Sequence, residues 1–413
     1  MTAEILTIGD ELLIGQVINT NQAFLAQELN NIGIVVVRMN TVGDLMQAIL
    51  ESFADAWKRS NVVVVTGGLG PTHDDVTKKA LCTFFNTELV SNVEARARIE
   101  RFLQGRRMSW TPAAEEQTML PKNATVIPNP IGTASGMLFQ EDEKYFFALP
   151  GVPYEMKEIV RMSVVPYLSS KVTGSYVKHL TLRTTGIAES ILAQQLGDLE
   201  PILQGAALAF LPSPRGVRLR ITVLDRTSEV AGQRVREVEA RIRGKVEKYI
   251  YGTGEEELEE VLGRILTEKG FTLAIAESCT GGLIADRITN VSGSSNYFER
   301  GVVTYSNKSK TDLLGVPTAL IGAHGAVSRQ VAEAMASGVR RMAGASIGLS
   351  TTGIAGPTGG TPEKPVGLVW IGYADRESCL AVRFNFGEGR ILVKERASQA
   401  ALELVRRKVL KLE

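Results

Sequence analysis

The chain has 413 residues, 44% of them apolar and 22% charged, a length that divides into two or three hydrophobic cores more readily than one. A formal net charge of +1 argues against a general polyanion binder. Three cysteines without a CxxC pair, Cys82, Cys279 and Cys379, exclude a disulfide framework and a cysteine-rich zinc site. The opening "MTAEILTIGDELLIG" lacks the basic n-region and apolar run of a signal peptide, and no apolar stretch of membrane-spanning length follows. A cytoplasmic protein with no membrane partner is expected.

The first segment alternates strand and helix. "EILTIGD", "IVVVRMNTVGD" and "NVVVVTGGLGPTHDD" read as strands, with the helices "TNQAFLAQELNNIG" and "DLMQAILESFADAWKRS" between them, and "YFFALPGVPYEMKEIV" as a later strand–turn–helix. Val- and Ile-rich strands separated by helices of this length predict a mostly parallel sheet covered on both faces, a three-layer domain over 1–170. From 171 to 252, "YVKHLTLRTTG" and "GVRLRITVLD" alternate as half-exposed strands do, beside two helical stretches, which predicts a small α+β unit. After the hinge "YGTGEEELEE", residues 256–413 alternate again, with "FTLAIAES", "YFERGVVTYS", "ASIGLSTTGIAG" and "VGLVWIGYA" as strands of an α/β domain.

Chemistry-bearing residues cluster at the strand ends. In "TGGLGPTHDDVTKKAL", Gly67, Gly68 and Gly70 let backbone approach a ligand, and the helix beyond offers free N–H groups to a phosphate, with Thr72 and Lys78 at hand. Carboxyl ends of parallel strands share one rim. Asp10 and Glu11 after the first strand could therefore meet Asp74 and Asp75, with Glu155 from "LPGVPYEM" nearby. Carboxylates beside a phosphate cradle suit a hard divalent ion, although Asp74, Asp75 or Glu155 could equally cap the helix it precedes. In the last segment, "AESCTGG" sets Ser278 beside Cys279, followed by Thr280, Gly281 and Gly282 at a helix start that could hold an anion. "TTGIAGPTGG" is a second glycine turn, in which Gly353, Ile354, Ala355 and Gly356 suit a mononucleotide phosphate or ribose, or form a plain β-turn.

"GDELLIGQVINTN", "TGGLGPTHDD", "GTASG" and "LPGVPYEM" together resemble the molybdopterin-binding-like domain of the CinA family, the competence/damage-inducible proteins. "AESCTGG", "GSSNYFERGVVTYSNKSK", "HGAVS", "TTGIAGPTGG" and "KPVGLVWIG" resemble the family's C-terminal domain, in the same order, so the resemblance covers essentially the whole chain. It implies metal-dependent hydrolysis of ADP-ribose to AMP and ribose 5-phosphate in the first domain, with Mg²⁺, Mn²⁺ or Co²⁺ and K⁺ as a further candidate. For the last domain it implies hydrolysis of nicotinamide mononucleotide to nicotinate mononucleotide and ammonia, with no cofactor. The 171–252 unit corresponds to the family's KH-like domain. Its "TTGIAESIL" lacks the GXXG loop that clamps a nucleic-acid backbone, and Arg215, Arg218 and Arg220 read as a solvated strand face, so nucleic acid is not an expected partner. A homodimer is.

Amide hydrolysis needs a nucleophile, a base and donors for the oxyanion. His324 is the single histidine of the last domain, and nothing suggests a Ser–His–Asp triad there. A lysine remains as base, the Ser–Lys variant. Lys310 in "TYSNKSK" fits if its pKa is depressed, with Tyr305 to relay or orient the proton. On the family pattern Ser278 is the nucleophile with Tyr305 and Lys310 as partners, and Cys279 has no histidine to lower its pKa. Arg396 on the C-terminal helix is a candidate for the substrate phosphate, and Glu277 for a structural hydrogen bond. Against this bifunctional enzyme stands a nucleotide- or pterin-binding regulator in which only the deamidase domain is active.

Overall fold

A computed structural model describes residues 1–70, 75–172 and 176–412. They divide into two compact units, Met1–Lys178 with Leu224–Gly232, and His179–Val223 with Gln233–Glu413. The expected middle unit thus packs largely with the last segment.

The first unit carries β1 (Thr2–Ile8), β2 (Val35–Val42), β3 (Val62–Thr66), β4 (Leu89–Ser91), β5 (Met119–Pro121), β6 (Thr125–Ile127), β7 (Gly136–Glu141) and β8 (Lys144–Leu149). Six of these form a sheet in the order β2-β1-β3-β8-β7-β6, and β4 and β5 make a separate ribbon. The pairs among β2, β1, β3 and β8 are parallel, and β7 and β6 add antiparallel edges. Strand β3, "VVVVT", is buried throughout, because successive side chains point to opposite faces and both faces are covered. Val62 and Val64 pack with Leu25, Leu29, Met156 and Ile159 on one side. Val63 and Val65 pack with Ile49, Phe53 and Leu81 on the other. The parallel register, with Thr7 opposite Thr66, brings the carboxyl ends of β1 and β3 to one rim.

Two further sheets follow. Strands β9 (Tyr176–Thr184), β10 (Ala207–Ser213), β11 (Gly216–Asp225) and β12 (Ile250–Thr253) form the order β10-β11-β9-β12. Strands β13 (Leu273–Glu277), β14 (Phe298–Val303), β15 (Ile347–Gly353), β16 (Leu368–Ala374) and β17 (Cys379–Asn385) form the order β14-β13-β15-β16-β17. Here β14, β13 and β15 are parallel, and β16 and β17 antiparallel. Strand β13, "LAIAE", sits at its centre. Leu273 and Ile275 face the helices Leu258–Lys269 and Arg390–Leu410, while Ala274 and Ala276 face Val331, Met335 and Val339 of the helix Arg329–Ala343. That second face holds alanines and the glycine Gly348 because the helix backbone lies close, and a Cβ at 348 would collide with the Ala336 carbonyl oxygen. Within this unit Gln399 donates to Thr185 at 3.1 Å and Arg406 to the Lys248 carbonyl at 2.8 Å, tying the C-terminal helix to the middle segment. Among the described residues no helix is long and apolar enough to cross a membrane.

Candidate active sites

The rim of the first sheet opens into a cavity of about 920 Å³, lined by Gly67, Gly68, Gly70, Asp10, Glu11, Asp75 and Glu155 among others. Gly67 has φ of 114°, a conformation that favours glycine, and a Cβ there would collide with the Ile8 carbonyl oxygen. Thr72 and Asp74, expected at this site, lie outside the described residues. Lys78 does not line the cavity. It is buried, its Nζ donates to the Glu116 carbonyl at 3.0 Å, and burial holds its pKa below the usual lysine value.

The carboxylates share the cavity without converging on one point. Among the described residues no three His, Cys, Asp or Glu side chains group closely enough to hold a metal ion, and Asp74, one of the four acids expected to meet, lies outside them. Glu155 accepts from Asn129 Nδ2 at 2.6 Å, and Glu11 folds back against Gly9, where a Cβ would lie 2.5 Å from its carboxylate. Asp10 is engaged by a residue the sequence reading missed, Asp44. The Asp10 N–H donates to Asp44 Oδ2 at 3.1 Å, and the Asp44 N–H donates to Asp10 Oδ1 at 3.2 Å. Burial raises the Asp44 pKa, and although that hydrogen bond opposes the rise, the charges of Asp10, Glu11 and Asp75 add to it. Like charges crowded around a cavity fit a cation. Asp44 follows the carboxyl end of β2 in "TVGD", so the rim argument extended by one strand would have found it.

The second site lies at the end of β13. Ser278 is buried, and its N–H donates to the Thr351 carbonyl at 3.0 Å. Lys310, in the helix Asn307–Leu314, is 1% exposed with its Nζ 3.1 Å from Ser278 Oγ. The same nitrogen donates to the carbonyls of Thr304 at 2.7 Å and Tyr305 at 3.4 Å. Burial lowers the Lys310 pKa, since desolvation penalises the charged form. The Lys310 nitrogen donates to the Ser278 hydroxyl oxygen and to both carbonyls, three hydrogen bonds from one amine. Cys279 beside it is packed into the apolar core, and burial pushes its thiol up to about 12. A thiol so placed carries almost no thiolate at neutral pH.

Other expected residues fall differently. Tyr305 is 62% exposed, its hydroxyl accepts from Arg390 at 3.0 Å, and its carbonyl accepts from Lys310. The N–H groups of the helix Leu283–Thr289, expected to hold an anion, are taken by Glu277, which accepts from Gly282 at 2.9 Å, Ile284 at 3.2 Å and Ala285 at 2.8 Å. Gly281 donates to the Ser278 carbonyl at 3.2 Å. Thr280 is fully buried, its hydroxyl 2.8 Å from that of Thr351. The N–H groups of Cys279 and Thr280 have no oxygen acceptor among the described residues, and both point at the Cys279 sulfur.

In the second glycine turn, Ile354 exchanges backbone hydrogen bonds with Leu368 and Gly367, each 2.8 Å. Gly353 ends β15, and Ala355 is buried. The Gly356 carbonyl accepts from Arg390 at 3.0 Å. Arg396 donates from one terminal nitrogen to the Phe386 carbonyl at 2.8 Å. The cations near the serine are two residues the sequence reading missed. Arg390 bridges Tyr305 and Gly356, and Lys394 lies one turn on, with its Nζ 3.6 Å from where a Cβ of Gly281 would stand. The signal for both was the glycine-flanked helix start "GEGRILVK" after β17.

Comparison with known proteins agrees along the chain. Residues 4–170 match the probable molybdopterin binding domain, residues 179–252 the damage-inducible protein CinA KH domain, and residues 255–409 the CinA C-terminal domain. The chain is 46% identical over 409 residues to a CinA-like protein of Salinibacter ruber, covering 98% of this chain and 99% of that one. It is 44% identical over 415 residues to a CinA-like protein of Chloroherpeton thalassium, covering 98% and 99%. A putative competence-damage inducible protein of Caldicellulosiruptor bescii is 42% identical over 410 residues, covering 99% and 100%. On these matches, and on the fold that carries them, the chain belongs to the CinA family.

Proposed function

We propose that the chain is a bifunctional hydrolase of pyridine-nucleotide salvage that deamidates nicotinamide mononucleotide at Ser278 and cleaves ADP-ribose in the amino-terminal cavity. The observation that carries the first activity is the buried Lys310 Nζ 3.1 Å from Ser278 Oγ. In this reading neutral Lys310 takes the Ser278 proton as Oγ attacks the carboxamide carbon. The N–H groups of Cys279 and Thr280, which follow the nucleophile, turn from the Cys279 sulfur to receive the oxyanion. The tetrahedral intermediate collapses to a Ser278 ester as Lys310 returns the proton to the departing ammonia. Water, deprotonated by Lys310, then attacks the ester carbon and frees nicotinate mononucleotide and the serine. Arg390 and Lys394 supply positive charge for the substrate phosphate.

For the amino-terminal cavity, the carboxylates Asp10, Glu11, Asp44 and Asp75 in its lining support a divalent cation that one or two of them would hold together with the substrate's diphosphate. When bound, the cation polarises a phosphoryl oxygen and neutralises charge on the diphosphate. Gly67, Gly68 and Gly70 admit the diphosphate close to the backbone. The products would be AMP and ribose 5-phosphate.

Two assays test these readings separately. Wild-type protein should release ammonia from nicotinamide mononucleotide, and no ammonia ends the deamidase reading. AMP should form from ADP-ribose with Mg²⁺, Mn²⁺ or Co²⁺. No AMP with any of the three leaves the cavity as a nucleotide- or pterin-binding site without turnover.

A further inference from the structure

A second cavity, of about 240 Å³, opens where the middle sheet meets the start of the helix Leu258–Lys269, and three guanidiniums face it, Arg183, Arg215 and Arg218. Two carboxylates, Glu255 and Glu257, share its wall. Arg183 is 6% exposed and its donors are spent. Its Nε donates to the Gly254 carbonyl, and its two terminal nitrogens to Glu257 and Glu255, all at 2.8 Å. It is a fixed wall. Arg215 reaches Glu257 only at 3.5 Å, and Arg218, exposed on β11, has no hydrogen bond or ion pair among the described residues.

Here three cations face two anions, and the Glu255 side chain is 81% exposed, so water screens much of its charge. Low-dielectric walls focus the remaining positive potential into the cavity. Arg218 and Arg220 are exposed, as the solvated-face reading expects, and Arg215 and Arg218 also line one concavity, where planar guanidinium forks match phosphate oxygens in pairs.

We propose that this cavity binds a small phosphate-bearing anion, with Arg215 and Arg218 as its ligands and Arg183 as the preformed back wall. A cavity of this size takes a phosphate or diphosphate group and not a stacked run of nucleotides. The anion would compete with Glu257 for Arg215. Glu257 also caps the helix Leu258–Lys269, in a reciprocal pair with Glu260, so occupancy is felt at the first turn of the C-terminal domain.

The test is calorimetric titration of inorganic diphosphate into the full-length chain without divalent metal, for wild type and the double variant Arg215→Ala/Arg218→Ala. Both side chains are at least partly exposed, so the variant keeps its core, and an unchanged melting temperature verifies that. Wild type should show a binding event that the double variant weakens by at least about tenfold, with Arg218→Lys falling between, because a point charge replaces a fork. A double variant that titrates like wild type overturns the proposal. So does wild type that ignores diphosphate but binds a short single-stranded oligonucleotide through the same arginines.

Discussion

The Ser278 site and the amino-terminal cavity both stand at carboxyl ends of parallel strands, yet they treat charge in opposite ways. Lys310 is sealed from solvent with a hydrogen-bond partner for each position on its nitrogen. Folding itself meets the cost of desolvating it, which lowers its pKa. Asp44 faces a cavity of about 920 Å³ with three other carboxylates pushing against its ionisation. On the proposed reading, a site of the first kind carries its chemistry in the chain's own side chains, while one of the second is completed by a cation from outside.

The sharpest way to break this contrast is at the buried pair. Ser278→Ala and Lys310→Met should each lower ammonia release from nicotinamide mononucleotide by at least about 10³-fold. Wild-type turnover should rise with pH through the lowered Lys310 pKa and level off before the ordinary lysine range. The same shift has a stability signature. Because the folded-state pKa is depressed, the unfolded chain binds more protons between the two values, and stability is lost as pH falls across that window. Melting temperatures measured against pH should slope accordingly in wild type and flatten in Lys310→Met.

At the open cavity the expected effects are smaller. The Asp44 pKa is raised, so its contribution to stability falls as pH rises through that window. Asp44→Asn should therefore raise the metal-free melting temperature at neutral pH. It should also remove most of the rise that Mn²⁺ gives wild type. A variant no more stable than wild type, with an intact Mn²⁺ response, would make the carboxylate crowding incidental. Arg390→Ala should raise KM for the mononucleotide about tenfold with kcat little changed, as loss of uniform binding does. The smallest effect belongs to Cys279→Ala, which should keep amide hydrolysis within about threefold of wild type.

Much of the fold was legible because it follows from pattern. "VVVVT" and "LAIAE" are short, wholly apolar or nearly so, and bounded by glycine turns, which marks central strands of covered sheets. The order of strands along the chain then brought Asp10 and Asp75 to one rim. What pattern does not encode is which of two neighbours a polar group chooses. The N–H groups after Gly281 looked available to an anion, yet Glu277 takes them, and a helix start cannot serve both. Tyr305 and Arg396 sat near the right places in sequence, but their side chains are engaged by Arg390 and by the Phe386 carbonyl. Asp44 and Arg390 acquire their meaning only through partners 34 and 85 residues away. Ser278 and Lys310, 32 residues apart, came from elimination and family resemblance, since neither residue alone carries a signature.

Ammonia release from nicotinamide mononucleotide, measured side by side for wild type, Ser278→Ala and Cys279→Ala, tests the central claim most directly. The account predicts release from wild type and Cys279→Ala and none above background from Ser278→Ala. Release from Ser278→Ala at the wild-type rate, or its loss in Cys279→Ala alone, would contradict it.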